Sequence, residues 1–192
     1  MNRIEQLEAL VKELYDAMDS KREDWAEWLY KNHVFWVADK AQAIATNHHI
    51  DSELSRAAAL LHDVADAEMS RFDPRHEIRS LELAQELLAQ SGFSTEEISI
   101  VVDDAIRFHS CSAGEKPSSD IGLVLASADA AAHFLTDFML HAFIDVSIEE
   151  YEERKNWARQ KIEKDFHKKI FFPEVKAEVA PHYEALKQML NS

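Results

Sequence analysis

Residues 57–66 read AAALLHDVAD, an apolar run that ends in a histidine, an aspartate and, three residues on, a second aspartate. Asp51 stands where an N-cap is expected, and Leu54, Ala57, Ala58, Leu60 and Leu61 give a wide apolar face, so the stretch predicts a helix packed in the core. Burying the ionisable pair His62-Asp63 at the end of such a helix is costly unless each group is hydrogen-bonded or bound to a cation. An imidazole nitrogen beside a carboxylate oxygen suits zinc, manganese or iron. The bland alternative is a histidine capping a helix C-terminus while the aspartate meets a surface Lys or Arg.

Two other positions bear on that choice. His33 lies mid-helix in KNHVFWVADKA, beside Trp36 and Val37, and Asp129 is a lone charge in the small-residue stretch LVLASADAAAHF. Each alone reads as structural, a satisfied core histidine or a carboxylate facing an arginine. Together, three helices offering His33, His62-Asp63 and Asp129 could converge on one cation and leave coordination positions open for water and substrate.

The rest of the chain reads as helix. Ile4, Leu7, Val11, Leu14 and Met18 recur at three- and four-residue intervals, and a second stretch runs from about residue 22 to 45. Asp73-Pro74 predicts an N-cap followed by a first helical residue, and Gly92 a C-terminal stop for the helix carrying Ile78, Leu81, Ala84, Leu87 and Leu88. Ser94 with Glu97, and Ser147 with Glu150, form capping-box patterns. An Ala-rich helix is expected over 121–143, a charged one reaching about residue 170, and a last one after Pro173 that Pro181 should kink or restart. The only extended loop-like composition is residues 109–120, HSCSAGEKPSSD.

Composition agrees with an all-α chain. Three glycines and four prolines in 192 residues fall well below the roughly 12% of average usage, too few for the turns of sandwiches, barrels or Gly-rich nucleotide folds. A formal net charge of −15 disfavours long nucleic acids and anionic membrane surfaces. The single cysteine, Cys111, cannot form an internal disulfide, and neither a signal-type apolar segment nor a membrane-length run occurs, so a cytoplasmic location is the expectation.

The order His…His-Asp…Asp resembles the HD superfamily of metal-dependent phosphohydrolases. The matching segments are HVFWVADKAQAIA from His33, AAALLHDVAD around His62-Asp63 and LVLASADAA around Asp129, with HEIRSLELAQELL from His76 and IRFHSCSAGEKPSSDIG from Ile106 between them. The resemblance implies one all-α HD-type domain over residues 1–146, with residues 147–192 as C-terminal helices packed on it. It also implies a divalent ion (Mn, Fe, Co, Mg or Zn) ligated by His33, His62, Asp63 and Asp129. His76 and His109 fall where some members hold a second ion. His109-Ser110 stands where two-metal members often have consecutive histidines, so one ion is the expectation and two the alternative.

Asp66 completes an HDxxD pattern and is the candidate for handling the proton of an attacking water, with a plain solvated charge as its rival. Lys116 and Arg107 are candidates to neutralise a substrate phosphate. His133, one helical turn after Asp129, could orient that carboxylate. The basic residues of RKNWARQKIEKDFHKK could line a phosphate entrance, but a solvated helix face is the favoured reading. His48, His49, His141, His167 and His182 carry no partner pattern, and Cys111 lacks an activating base.

The expected activity is hydrolysis of a phosphate ester or anhydride of a small metabolite, with a nucleotide favoured. The rivals are a non-catalytic nucleotide-binding module of the same fold and a di-iron oxygenase, and a homodimer through the C-terminal helices is one option. Glu-x-x-His pairs, HExxH, Walker A, GxGxxG and GxSxG motifs are absent from the sequence, which removes ferritin-like, zincin, P-loop, Rossmann and serine-hydrolase readings.

Overall fold

The computed structural model describes residues 2–17, 22–71, 73–143 and 149–191. Among these residues the chain is helical, and no strand occurs. Met18 and Ser147, named above as a helix-face residue and a cap, lie outside the described residues.

The N-terminal helix α1 (Arg3–Asp16) opens on a capping box of Asn2 and Glu5 and buries Leu7, Val11 and Tyr15. Residues expected to form one long second helix are instead α2 (Ala26–Leu29), a π-helical turn (Tyr30–Val34) and α3 (Phe35–Asn47). Helix α4 (Ser52–Leu61) is capped as expected, with the Asp51 carboxylate accepting from the Glu53 and Leu54 amides. A 3-10 turn (Val64–Ala67) then leads towards α5 (His76–Gln90). Asp73 is not the cap of α5. Its carboxylate accepts from Arg75 N at 2.8 Å and its carbonyl from His76 N at 3.0 Å, so a turn precedes the helix by two residues. Gly92 ends α5 at φ +82°, where Gly92 N donates to Ala89 O and Phe93 N to Leu88 O, the Schellman pattern.

Ser94 and Glu97 form the expected box opening α6 (Thr95–Ser99), which continues as a π-helix (Ile100–Ile106). Helix α7 (Asp120–Leu135) is capped by Ser119 and buried on nearly every side. It stops at Thr136, short of the expected end. The Thr136 hydroxyl donates to Ala132 O at 2.6 Å and accepts from Phe138 N at 3.2 Å, closing one helix and opening the short α8 (Phe138–His141). Helix α9 (Tyr151–Lys164) runs into a third π turn (Asp165–Lys169). The last helix, α10 (Pro173–Asn191), is continuous across Pro181. Pro181 and Ala177, whose carbonyl loses its partner, are both exposed, so water can satisfy that carbonyl.

Helices α3, α4 and α7 pack against one another at the centre, and α10 covers α7 from outside. Their shared faces are small: Ala38, Ala41, Ala45, Ala57, Ala58, Ala59, Ala128, Ala130, Ala131 and Ala132 have no exposed surface. Interaxial distance follows the side chains at the contact, so this alanine seam draws the three axes together and lets short side chains from all three reach one point. No helix among the described residues is long and apolar enough to cross a membrane.

Candidate metal centre

His33 comes from the π turn before α3, His62 from the C-cap of α4 and Asp129 from the middle of α7, and the three are 1%, 1% and 4% exposed. Each offers one ligand atom, and these atoms lie within 4.8 Å of one another. His62 Nδ1 lies 2.7 Å from the Ala59 carbonyl, which can only accept, so the proton is on Nδ1 and Nε2 carries a lone pair. That Nε2 is buried with no hydrogen-bond partner, as are both ring nitrogens of His33.

Asp129 Oδ1 is the meeting point. His33 Nε2 lies 3.3 Å away, His133 Nε2 3.4 Å and His62 Nε2 3.7 Å. His133 Nδ1 is 2.9 Å from Asp165 Oδ2. Burial opposes ionisation of Asp165, but Lys161 and His133 hold it well below the usual carboxylate range, so it accepts and His133 Nδ1 donates. His133 itself is pushed down to about 4, chiefly by burial and Lys161. Two imidazoles, His62 and His133, therefore turn lone pairs toward an oxygen that is itself held ionised: burial opposes the Asp129 charge, but the Lys169 ammonium overcomes it. Such an array of acceptors is repulsive by itself and attractive around a cation, and its N and O donors fit a divalent metal.

Asp63 stands at the rim of this group. Its Oδ2 is 3.7 Å from His62 Nε2 and 2.9 Å from the Arg71 guanidinium, and its Oδ1 is 3.9 Å from His109 Nε2. Burial would raise its carboxyl, but the Arg71 guanidinium holds it far below the usual range. His109 donates Nδ1–H to Ile106 O at 2.6 Å and is pushed down to about 4, mainly by burial, so its Nε2 faces Asp63 as a neutral base.

Asp66 is buried and fully engaged. Both its oxygens pair with Arg71, and Oδ1 also lies 2.9 Å from His76 Nε2. It does not line the cavity described next, so it reaches the centre only through Arg71 and His76. Asp66, expected to handle the water proton, is thus placed against Arg71 and His76 and not in the cavity lining.

A cavity of about 250 Å³ opens onto the centre. His62, Asp63, His76, His109, Asp129 and His133 line it together with Arg71, Lys161, Lys164 and Lys169. Arg107 and Lys116 do not. Arg107 faces Asp103 at 3.6 Å and Lys116 lies over the Phe171 ring, so neither of these expected phosphate contacts stands in the lining, where three lysines do. Those residues come from the charged run of α9, where a solvated face was the favoured reading. Lys169 is 2% exposed and pairs with Asp129, and Lys161 Nζ is 2.9 Å from Asp165. Burial, then Lys169 and Lys161, lower the Lys164 ammonium below its ordinary value. Ser127 ties this segment to α7, its hydroxyl donating to Lys169 O at 3.2 Å and accepting from Phe171 N at 2.9 Å. The sequence gives Arg71 and Asp165 no role, and Lys169 only the disfavoured one of lining a phosphate entrance. The one signal for Asp165 and Lys169 is their i, i+4 spacing with Lys161, which any solvated helix can also show.

The comparisons with known proteins bear on this geometry. A family model described as HD domain matches residues 30–133, a span that contains His33, His62, Asp63 and Asp129 and ends before the lysines of α9. Among solved structures, the chain is similar to a predicted HD superfamily hydrolase from an uncultured Thermotogales bacterium. The TM-score is 0.65 at 19% identity, over 99% of this chain and 90% of that one, a likeness of fold. No curated protein matches the chain.

Proposed function

This chain belongs to the HD domain family, and from that premise we propose that it is a metal-dependent phosphohydrolase acting on a small phosphorylated metabolite, with a nucleotide as the expected class. The observation that carries the reading is the convergence of three Nε2 atoms on the ionised Asp129, two of them with lone pairs turned inward. His33, His62 and Asp129 would hold the ion, with Asp63 adjoining at the rim. A divalent cation bound there supplies a Lewis acid for a phosphoryl oxygen and lowers the pKa of a bound water.

The protein's own contribution is positioning and exclusion. Ala59 and Asp165 fix the tautomers of His62 and His133. Arg71 holds Asp63 in place while Asp66 holds Arg71. In the overall reaction the water oxygen bonds to phosphorus, the bond from phosphorus to the leaving oxygen breaks, and that oxygen departs with a proton. A volume of about 250 Å³ lies below the roughly 300–1,000 Å³ of drug-sized ligand sites. Ile106 is the one aliphatic residue in the lining, so the phosphate end enters and the base of a nucleotide stays at the mouth.

His76 Nε2 already engages Asp66, which supports one ion over two. The same engagement counts against the di-iron oxygenase, which needs both His76 and His109 as ligands. The test is metal analysis of the purified protein joined to a hydrolysis screen of nucleotides and phosphosugars with Mn²⁺, Mg²⁺, Co²⁺ and Fe²⁺. One divalent ion per chain and metal-dependent release of phosphate are expected, and both should vanish in Asp129→Ala. Two irons per chain would favour the oxygenase. Failure to bind any ion would favour the binding module, and Asp63→Ala retaining full metal content and activity would refute the role of the His-Asp pair.

A further inference from the structure

The π turn at Asp165–Lys169 carries a lysine into the cavity wall. Lys161, Asp165 and Lys169 follow one another at four-residue intervals, and this side of α9 and its π turn faces the cavity. Lys169 is accordingly buried and Lys168 exposed. The result is a wall of three ammonium groups, Lys161, Lys164 and Lys169, along one side of a cavity in a chain whose net charge is −15.

Two members of that wall have internal counter-ions, Asp165 for Lys161 and Asp129 for Lys169. Lys164 makes no ion pair or hydrogen bond among the described residues, although it is half-buried and lines the cavity. A partly desolvated cation beside two like charges is unfavourable unless an anion joins it. We propose that Lys164, flanked by Lys161 and Lys169, is the specificity-determining contact for the terminal phosphate of a dianionic phosphomonoester, favouring it over a monoanionic phosphodiester.

The argument rests on the hydrolase reading for its substrate but not for its anion. A monoester brings two negative charges and one substituent; a diester brings one charge and two substituents. One unpaired lysine among two satisfied ones, in a cavity of about 250 Å³, matches the former on charge and on room. These lysines also lie outside residues 30–133, so they add selection to a centre the family model already covers.

The experiment uses the metal-loaded protein and inorganic phosphate as probe, with wild type, Lys164→Gln and Lys164→Arg compared by isothermal titration. Because Lys164 has no partner to lose, both variants should keep the wild-type melting temperature and metal content. Phosphate affinity should fall about ten- to hundredfold in Lys164→Gln, the effect of one charge-assisted contact, and recover in Lys164→Arg. With p-nitrophenyl phosphate and bis-p-nitrophenyl phosphate as substrates, the glutamine variant should raise KM several-fold more for the monoester than for the diester, and an equal rise for both overturns the selectivity. Unchanged phosphate affinity in Lys164→Gln, or no phosphate binding by the wild type, overturns the proposal. Phosphate binding that depends on Lys164 without hydrolysis of any ester supports the wall and overturns the hydrolase reading instead.

Discussion

Replacing Asp165 with alanine tests the network behind the centre. Asp165 has no exposed surface, and its Oδ2 takes His133 Nδ1 and Lys161 Nζ, each at 2.9 Å. Removing one partner of a buried ion pair costs about 3–5 kcal/mol, because the remaining charge stays desolvated. Lys161 keeps 16% of its side chain exposed and faces the cavity, so it can turn to water, which places Asp165→Ala near the lower end, at about 3 kcal/mol. For a chain of this length each kcal/mol moves Tm by about 2–4 °C, giving a loss of roughly 6–12 °C by circular dichroism at neutral pH. Asp165→Asn keeps an acceptor for His133 and should lose less. The pH dependence has a definite sign. A carboxylate held below its unfolded value stabilises fully above that value, about 3.9, and loses the contribution as pH falls through its folded value. The gap between wild type and variant should therefore stay level from pH 8 to 5 and close only in strong acid. A loss under 3 °C at neutral pH, or a gap that closes already at pH 6, would refute this account of Asp165.

Three further predictions concern separate parts of the fold. In Gly122→Ala the added Cβ would lie 2.3 Å from Pro117 Cβ and 3.0 Å from Asp104 Oδ2, so the loop before α7 must move, at about 1–3 kcal/mol by urea denaturation. Asp104 accepts from the backbone amides and hydroxyls of Ser118 and Ser119, which lower its carboxyl against the effect of burial. Asp104→Ala should cost about 2 kcal/mol at pH 7 and progressively less as pH falls below about 4. Asp66→Ala frees Arg71 and His76, so stability and kcat/KM should fall together while metal content is retained; loss of the metal would show that Asp66 itself belongs to the ligand set.

Most of the local structure was legible because it depends on near neighbours. Asp51, Ser94 and Gly92 cap or stop their helices as their side chains or backbone freedom dictate. The central site was legible for a different reason, since His33, His62 and Asp129 are polar residues stranded in apolar segments, and such groups need partners when buried. The missed features depend on tertiary contact. At 165–169 the four-residue spacing of Lys161, Asp165 and Lys169 is the one signal, and since a solvated helix carries the same spacing it does not announce that Lys169 is buried. The break at Thr136 is a hydroxyl closing two helix ends, which an Ala-rich segment does not announce. Asp66 drew its expected role from the HDxxD pattern, whereas the 3-10 turn after Asp63 directs it toward Arg71 and His76.

The net charge of −15 and the lysine wall act over different distances, which reconciles an acidic chain with the anionic substrate proposed for it. At physiological ionic strength the Debye length is about 8 Å, so carboxylates spread over the surface are largely screened from a ligand already inside the cavity. Within the cavity, four cationic side chains face three carboxylates, Asp63, Glu77 and Asp129, before any metal is counted. Asp63 and Asp129 are themselves paired to Arg71 and Lys169, so they lower the field without removing the wall. A long polyanion would meet the surface charge along its whole length, whereas a small phosphate meets it only on approach. On the proposed function, selection against size would follow from the surface, and selection for a phosphate from the few residues on the π-helical end of α9.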